Sequence, residues 1–181
     1  MVLHIIAAAC ENMGIGHKGQ LPWRLKKEMA YFTEKTSATQ NPGKQNAVIM
    51  GRKTWESIPK KMRPLPNRIN VVLTTSLSSV EGAHHTTDSF EKAMAWLQEP
   101  TTKEKLDKVF VIGGESVYRM AMESEHPQVI YLTRILETFE CDTFFPKLDE
   151  EKYSITKCEG VPEEVQEENG LRYKFEVYKT K

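Results

Sequence analysis

Five short runs of apolar, largely β-branched residues constrain the fold of this chain more than any other feature. Runs of this length and composition are typical of strands that are buried on both faces of a parallel sheet. The predicted strands are Val2 to Ala9, Ala47 to Met50, Arg68 to Thr74, Val109 to Ile112 and Val129 to Thr133. Because helical patterns lie between them, the chain is predicted to adopt an α/β fold.

Three helices are predicted between these strands. Apolar residues recur at helical spacing at Leu25, Met29 and Phe32 in the first, and at Phe90, Ala93, Met94 and Leu97 in the second. Asp88 and Glu91 are spaced like a capping box for the second helix, and a third helix is predicted from Val117 to Met122.

The last part of the sequence follows a different pattern. From Leu171 to Tyr178 apolar and polar residues alternate, which is typical of a strand with one covered face. Another strand is predicted at Tyr153 to Thr156, and Asn169-Gly170 is typical of a tight hairpin turn. We therefore expect one α/β domain over residues 1–181, with a mostly parallel central sheet, an antiparallel C-terminal hairpin and flanking helices.

Charge and cysteine content narrow the function classes. The 25 basic and 25 acidic side chains cancel, which disfavours duplex nucleic acid or an anionic membrane as the main partner. Cys10, Cys141 and Cys158 form no CxxC pair, so free thiols in a reducing compartment are expected. The run from Val2 to Cys10 lacks a preceding basic segment and is too short to span a bilayer. A cytoplasmic location is the expectation.

Three glycines after the first strand, Gly14, Gly16 and Gly19, match the spacing of a dinucleotide-binding fingerprint. The third glycine of that fingerprint must open a helix. Here Pro22 follows and biases Leu21 away from the helical conformation, so the fingerprint is rejected. Residues 14–19, the glycine loop, fit a mobile lid and an ordinary surface turn equally well.

Two other strand ends are better phosphate sites. Ala47 to Met50 runs into Gly51, Arg52, Lys53 and Thr54, and Val109 to Ile112 runs into Gly113, Gly114, Glu115 and Ser116. Each is a buried strand, then glycine, then the expected start of a helix, where unpaired N–H groups favour an anion. One such junction is also common as a structural turn, but two in one domain favour a diphosphate ligand.

Glu28 is the acidic residue that is the strongest candidate for a chemical role. It lies between Tyr31 and Phe32 on a helical wheel, at the margin of the apolar stripe. Such a glutamate usually edges a solvated face. If the stripe instead lines a pocket, burial would raise the pKa of the carboxyl and suit it to proton donation or bidentate acceptance.

Hydrolase and metal-site patterns are missing from the sequence, which has no GxSxG, HExxH or Walker motif. His84 and His85 are adjacent, so on a strand their rings point apart, and His4, His17 and His126 are isolated. No metal site is predicted.

Several motifs in a fixed order resemble the dihydrofolate reductases, in the eukaryotic single-domain form. They are Asn12 to Gly16, Leu21 to Trp23, Glu28 with Phe32, Gly51 to Trp55, Ser57 to Pro59, Arg63 to Leu65, Arg68, Ile112 to Gly114 with Tyr118, Asp142 to Pro146, and Val165 to Gly170. The resemblance covers essentially the whole chain.

The resemblance implies a folate site and an activity. Substrate would be bound by Ile6, Ala7, Glu28, Met29, Phe32, Ser57, Ile58, Pro59, Met62, Leu65, Arg68 and Thr133, and catalysis would involve Leu21, Trp23, Glu28, Tyr118 and Thr133. Glu28 would anchor the pterin, supported by Thr133 and a water on Trp23, and Arg68 would clamp the glutamate α-carboxylate. The activity would be NADPH-dependent reduction of 7,8-dihydrofolate to tetrahydrofolate, with hydride added at C6 and a water-borne proton at N5. This reaction serves one-carbon metabolism and thymidylate synthesis. A monomer that also binds antifolate inhibitors is expected.

The resemblance also implies an NADPH site. It would comprise Ala8, Ile15, Gly16, Gly19, Gln20, Gly51, Arg52, Lys53, Thr54, Leu73, Thr74, Thr75, Asp88, Ile112, Gly113, Gly114, Glu115, Ser116, Val117 and Tyr118. Cis peptide bonds are expected at Arg63-Pro64 and Gly113-Gly114.

Five positions depart from the family pattern. Met29 and Met62 stand where vertebrate relatives are expected to carry Phe and Asn, and Glu115 places an acid beside the pyrophosphate. Thr75 and Asp88 stand where a basic residue often helps to hold the 2′-phosphate. Most of the preference for NADPH over NADH is therefore predicted to depend on Arg52.

Two alternatives remain. A pyrimidine or pterin reductase of the same fold would not need Arg68, because its substrate lacks the glutamate carboxylate. A folate- or nucleotide-binding module without catalysis is disfavoured by the intact Glu28, Trp23 and Tyr118.

Overall fold

The computed structural model describes residues 1–76 and 79–181, and these build one large mixed sheet and a small two-stranded one. The strands are β1 (Leu3–Ala9), β2 (Gly14–Gly16), β3 (Gln45–Gly51), β4 (Arg68–Leu73), β5 (His85–Thr87), β6 (Leu106–Gly113), β7 (Gln128–Ile135), β8 (Thr143–Phe144), β9 (Tyr153–Thr156), β10 (Gln166–Glu168) and β11 (Leu171–Thr180). The helices are α1 (Lys26–Ser37), α2 (Arg52–Ser57), α3 (Phe90–Leu97), α4 (Pro100–Lys103) and α5 (Glu115–Glu123), with a 3₁₀ turn at Lys60–Met62.

The large sheet has the strand order β10-β11-β7-β1-β6-β3-β4-β5, and β9 also pairs with β11. Strands β7, β1, β6, β3, β4 and β5 are parallel. Strand β11 joins β7 antiparallel, and β9 and β10 pair antiparallel with β11. Asn169 and Gly170 form the tight turn between β10 and β11 with positive φ angles of 52° and 79°. The predicted mixed sheet with its antiparallel addition is confirmed.

Both faces of the parallel part are covered, which explains the continuous apolar runs. In β3 the residues from Ala47 to Met50 are completely buried. Ile49 lies in the cluster packed by α3 and α5, and Val48 lies in the cluster that includes Trp55 of α2. Alternate residues of one strand therefore serve two different cores.

The predicted capping box of α3 is wrong. The N-cap is Ser89, whose Oγ accepts from the Lys92 N–H at 3.1 Å. Asp88 lies one residue too early and instead accepts from Lys92 Nζ at 3.0 Å. A short polar side chain at either position fits the local pattern, so the sequence alone does not choose between them.

Other boundaries also differ from the prediction. Leu25 is buried but precedes α1 as its N-cap residue. Helix α5 begins at Glu115, two residues before the predicted Val117, because Gly114 takes the N-cap position. Strands β2, β5, β8 and β10 were not predicted, since two or three residues are too few to establish an alternating pattern. None of the helices described is long and apolar enough to cross a membrane.

Candidate active site

The predicted site residues converge on the carboxyl ends of the central parallel strands and on α1. Thr133 of β7 is in register with Ala8 of β1, and Gly113 of β6 is in register with Met50 of β3. Loops and helices that follow these strands are therefore neighbours, as is usual for ligand sites in parallel sheets.

Glu28 lies in the first turn of α1, and its side chain is only 7% exposed. The Thr133 hydroxyl donates to Glu28 Oε1 at 3.3 Å. Burial raises the pKa of Glu28 to about 7, and the opposing effect of the Thr133 hydrogen bond is smaller. Glu28 is therefore not part of a solvated face, and it can exchange a proton near neutral pH.

Helix α1 shows an inverted burial pattern, with polar residues buried and apolar residues exposed. Its buried residues are the polar Glu28 and Thr36, whereas Met29 is 50% exposed. A helix that only packed on the sheet would bury its apolar face. Leu21 and Met62 are also large apolar residues that remain about half exposed. These side chains leave apolar surface available for a ligand.

Arg68 is a buried cation, with 4% of its surface exposed. Its Nη1 donates to Thr36 Oγ1 at 2.8 Å, and its Nε donates to the Pro66 carbonyl at 3.0 Å. Burial lowers the pKa of the guanidinium. Within the described ranges no carboxylate forms an ion pair with Arg68. A buried charge without a counter-ion favours an anionic ligand.

Trp23 and Tyr118 lie in two different core clusters. Trp23 is buried, and its Nε1 has no hydrogen-bond partner among the residues described. The Tyr118 hydroxyl donates to the Ile6 carbonyl at 2.8 Å. An unsatisfied buried donor is suited to an ordered water, so the predicted water on Trp23 has a chemically suitable place.

Partly buried residues complete the apolar wall. Phe32, Ile58 and Leu65 pack against the cluster that contains Ile6. Ser57 and Pro59 are exposed beside them, and Ala7 is buried. Of the predicted pterin and aminobenzoyl residues, the structure thus brings Ile6, Phe32, Ile58 and Leu65 into one cluster.

The two glycine junctions lie side by side. A Cβ on Gly51 would come 4.0 Å from both Gly113 O and Gly114 N, and a Cβ on Gly114 would lie 3.5 Å from Thr54 Oγ1. Gly113 has a φ of +123°, and a Cβ there would lie 3.3 Å from the Tyr118 ring. The helices α2 and α5 start at these junctions. Gly51, Gly113 and Gly114, which lack side chains, therefore place backbone N–H groups from two helix N-termini close together. We call these three glycines the cradle, and its donors fit a diphosphate. Both expected cis bonds, Arg63-Pro64 and Gly113-Gly114, are present.

Three charged residues of the predicted cofactor site, Arg52, Glu115 and Asp88, already have partners. Arg52 Nε lies 3.4 Å from Glu56 Oε1. Glu115 Oε1 accepts from the Phe144 N–H at 2.6 Å, and its other oxygen lies 3.8 Å from Arg119. The Lys92 hydrogen bond lowers the pKa of Asp88, whose side chain is exposed. The two acids that departed from the family pattern are thus held by donors of their own.

The remaining predicted cofactor residues differ in burial, and among them Val117 contacts the cradle. Leu73 and Thr74 are buried at the end of β4, beside β3, whereas Thr75 is exposed. Val117 is buried, and its Cγ2 lies 3.3 Å from where a Cβ on Gly51 would be. On the outer surface Gly19, Gln20, Lys53 and Ser116 are exposed, whereas Ala8, Ile15, Gly16 and Ile112 are half-buried.

The glycine loop is attached to a second segment of the protein. Its strand β2 pairs with β8, and Lys18 N–H donates to Asp142 Oδ2 at 2.9 Å. Asp142 N–H donates in turn to the Gly16 carbonyl at 2.9 Å. We call residues 141–144 the strap. The glycine loop is therefore not an isolated surface turn, because strand pairing and hydrogen bonds connect it to the strap.

One structural contact near Glu28 has no signal in the local sequence. Glu168 accepts from the N–H groups of Lys26 and Lys27 at 2.8 and 2.9 Å, and Leu25 offers no side-chain cap to α1. These hydrogen bonds lower the pKa of Glu168. The capping residue lies 142 positions after Lys26, so no short-range motif connects them.

Comparison with known proteins agrees with this geometry. A family model described as dihydrofolate reductase matches residues 2–180. The dihydrofolate reductase of Gallus gallus is 50% identical over 179 residues, covering 97% of this chain and 95% of the relative. That of Sus scrofa is 49% identical over 179 residues, covering 97% and 96%. The solved structure of Schistosoma mansoni dihydrofolate reductase has a TM-score of 0.89 at 40% identity, covering 100% of this chain and 99% of that one. The chain therefore belongs to the dihydrofolate reductase family of oxidoreductases.

Proposed function

We propose that this enzyme uses NADPH to reduce 7,8-dihydrofolate to 5,6,7,8-tetrahydrofolate, adding hydride at pterin C6 and a proton at N5. The observation that carries the proposal is that helix α1 has a buried carboxyl, Glu28, in its first turn and a buried uncompensated cation, Arg68, bound to Thr36 near its other end. A ligand that satisfies both must offer N–H donors at one end and an anion at the other. The pterin ring and the glutamate tail of dihydrofolate have these properties.

On the folate side the protein orients and polarises the substrate. Glu28 accepts from the pterin ring N–H and amino group, and the Thr133 hydroxyl fixes the carboxyl through its 3.3 Å contact. Arg68 binds the α-carboxylate with the guanidinium N–H groups that Thr36 and Pro66 do not occupy. A water on Trp23 Nε1 stands between solvent and the pterin and carries the proton, with Glu28 favouring its transfer.

On the cofactor side the residues present fit a dinucleotide phosphate. The cradle at Gly51, Gly113 and Gly114 would hold the diphosphate by backbone N–H groups. Arg52 would bind the 2′-phosphate in exchange for its contact with Glu56. When bound, the nicotinamide supplies the hydride; the protein contributes orientation and exclusion of water.

Further parts of the proposal are supported by family membership. We propose that the enzyme acts as a monomer in the cytoplasm, binds antifolate inhibitors in the folate cleft, and supplies one-carbon metabolism and thymidylate synthesis.

The test is the loss of NADPH absorbance when dihydrofolate is added. Turnover is expected, with Arg68→Gln raising KM for dihydrofolate roughly tenfold to hundredfold through loss of a charged hydrogen-bond pair. Arg172→Gln, at an exposed arginine of β11, is the control and should leave KM unchanged. Binding of dihydrofolate without turnover would support a binding module instead. An unchanged KM in Arg68→Gln would support a reductase whose substrate lacks the glutamate tail.

A further inference from the structure

Two cysteines far apart in sequence meet beneath the glycine loop. Cys10 Sγ and Cys141 Sγ lie 3.9 Å apart, although 131 positions separate the residues. Cys10 is buried just after β1, and Cys141 is partly exposed at the start of the strap. All three cysteines carry free thiols, and Cys158 does not share this contact.

The loop itself packs on both sulfurs. A Cβ on Gly14 would come 2.2 Å from Cys141 Sγ and 3.1 Å from Cys10 Sγ. Only a residue without a Cβ leaves room for the Cys141 side chain at this point. Cys10 Sγ also donates to Asn12 Oδ1 at 2.6 Å, inside the same turn. The dithiol is thus in direct contact with the start of the loop.

We propose that Cys10 and Cys141 are an oxidation site that closes to an intramolecular disulfide with a small-molecule disulfide as oxidant, and that this cross-link restrains the glycine loop. The Cys141 thiolate attacks one sulfur of oxidised glutathione and releases one glutathione thiolate. The Cys10 thiolate then attacks Cys141 Sγ and releases the second. Two protein thiols are oxidised to one disulfide while the oxidant is reduced to two thiols.

Geometry favours closure within the molecule. A disulfide bond is about 2.05 Å long, so the two sulfurs must approach by roughly 1.9 Å, a shift that side-chain rotation can supply. Cys141 reacts first because Cys10 is completely buried. Once Cys141 carries glutathione, Cys10 is already the neighbouring nucleophile.

The surroundings of Cys141 make this reaction dependent on pH. Burial, contact with Cys10 and the nearby Asp142 together raise the pKa of the Cys141 thiol to about 11, although a backbone hydrogen bond at Gly16 opposes them. Little thiolate is therefore present near neutral pH, so the pair remains reduced under mild conditions. Alkaline solution speeds the first attack.

The cross-link acts on the loop through the strap. Cys141 leads directly into Asp142, which binds Lys18 and Gly16 of the loop region, and then into β8, which pairs with β2. A covalent bond to Cys10 would fix this strap to the end of β1. If loop opening contributes to turnover, as the proposed reductase function implies, kcat falls in the oxidised enzyme.

The chemical test compares the wild type with the serine variants Cys158→Ser, Cys10→Ser and Cys141→Ser. After treatment with oxidised glutathione near pH 9, Cys158→Ser, which lacks the other partly exposed thiol, should lose both remaining thiols without retaining glutathione. Peptide mapping should recover the Cys10–Cys141 link. Cys10→Ser should instead accumulate glutathione on Cys141. Wild type that accumulates stable glutathione on Cys141, or a link to Cys158, would overturn the site.

The kinetic test is independent of the thiol count. Oxidised wild type should show kcat lowered about threefold or more, restored by dithiothreitol, whereas Cys141→Ser given the same treatment keeps its kcat. A cross-linked enzyme with unchanged kcat would refute the restraint of the loop. A reduced enzyme that never turns over dihydrofolate would refute the proposed function and leave the thiol result to decide the oxidation site.

Discussion

The proposed folate side and the proposed cofactor side of the site differ in the kind of group that would bind the ligand. The folate side relies on buried charged or ionisable side chains, Glu28 and Arg68, held by the hydroxyls of Thr133 and Thr36. The cofactor side relies on backbone: its glycine cradle carries no Cβ, and Arg52 at its edge is 38% exposed.

This contrast predicts two kinds of sensitivity. Buried polar groups act with little screening, so the loss of a single one should be costly. A backbone cradle distributes its binding over several N–H groups, so adding a Cβ should damage it more than removing a surface charge. The four predictions below test this division.

The largest effect is expected from Glu28→Gln. The amide presents an N–H where the pterin also presents one, and it cannot ionise. We expect kcat/KM for dihydrofolate to fall at least roughly a hundredfold, or about 2.7 kcal/mol. Steady-state kinetics on the folded variant measures this. Glu34→Gln, exposed on the same helix, is the matched control. Near-normal activity of Glu28→Gln would show that the buried carboxyl is not needed to bind or polarise the pterin.

The same substitution should stabilise the ligand-free protein at alkaline pH. Burial raises the pKa of Glu28 from 4.5 to about 7, so the folded state holds its proton more tightly than the unfolded chain. Below about pH 4 Glu28 is protonated in both states and does not affect stability. Between about pH 4 and pH 7 the unfolded chain ionises first, so the free energy of unfolding falls as pH rises, and the whole loss is present above about pH 7. Glu28→Gln should therefore exceed wild type by roughly 2–3 kcal/mol near pH 8. Urea unfolding at several pH values measures the difference, and a gap that does not grow with pH would contradict it.

A smaller effect is expected from Gly113→Ala on the cofactor side. The residue has a φ of +123°, and its Cβ would press on the Tyr118 ring at 3.3 Å. We expect a loss of about 1–3 kcal/mol, seen as weaker NADPH binding in a fluorescence titration. Gly43→Ala, with a φ of +83° and nothing within 4 Å, carries strain without the contact. Equal NADPH affinity in the two variants would show that the cradle is unimportant.

The smallest effect is expected from Arg52→Ala. The side chain is partly exposed and shared with Glu56, so solvent screening reduces its contribution to about 1 kcal/mol or less. The ratio of kcat/KM for NADPH to that for NADH should fall by about fivefold at fixed ionic strength. Glu56→Gln should raise the same ratio by releasing Arg52. An unchanged ratio in Arg52→Ala would assign the preference to another basic residue.

The sequence predicts the parts of this protein that depend on local pattern. The five buried strands and the Asn169-Gly170 turn follow from residue type and spacing alone, and the two glycine junctions are visible as strand ends. The short strands β2 and β8 are not visible, because each exists only through pairing with the other. The N-cap of α3 could not be chosen between Asp88 and Ser89, since both residue types suit that position.

The burial of Glu28 shows the same limit at the site. Its position on the helical wheel favours a solvated face over a pocket wall. The burial of Glu28 depends on the sheet, because β7 brings Thr133 against the carboxyl. The family resemblance pointed to Glu28, but its raised pKa depends on packing that no short motif contains.

The cap on α1 links the timing of folding to catalysis. The helix that carries Glu28 begins with N–H groups whose acceptor, Glu168, is made 142 residues after Lys26. During synthesis the first turn of α1 must therefore wait, with its end unsatisfied, until the β10–β11 hairpin has joined the sheet beside β7. A nascent chain can therefore contain all of its parallel strands before α1 receives this cap, and the helix that carries Glu28 is complete only when the C-terminal hairpin is present.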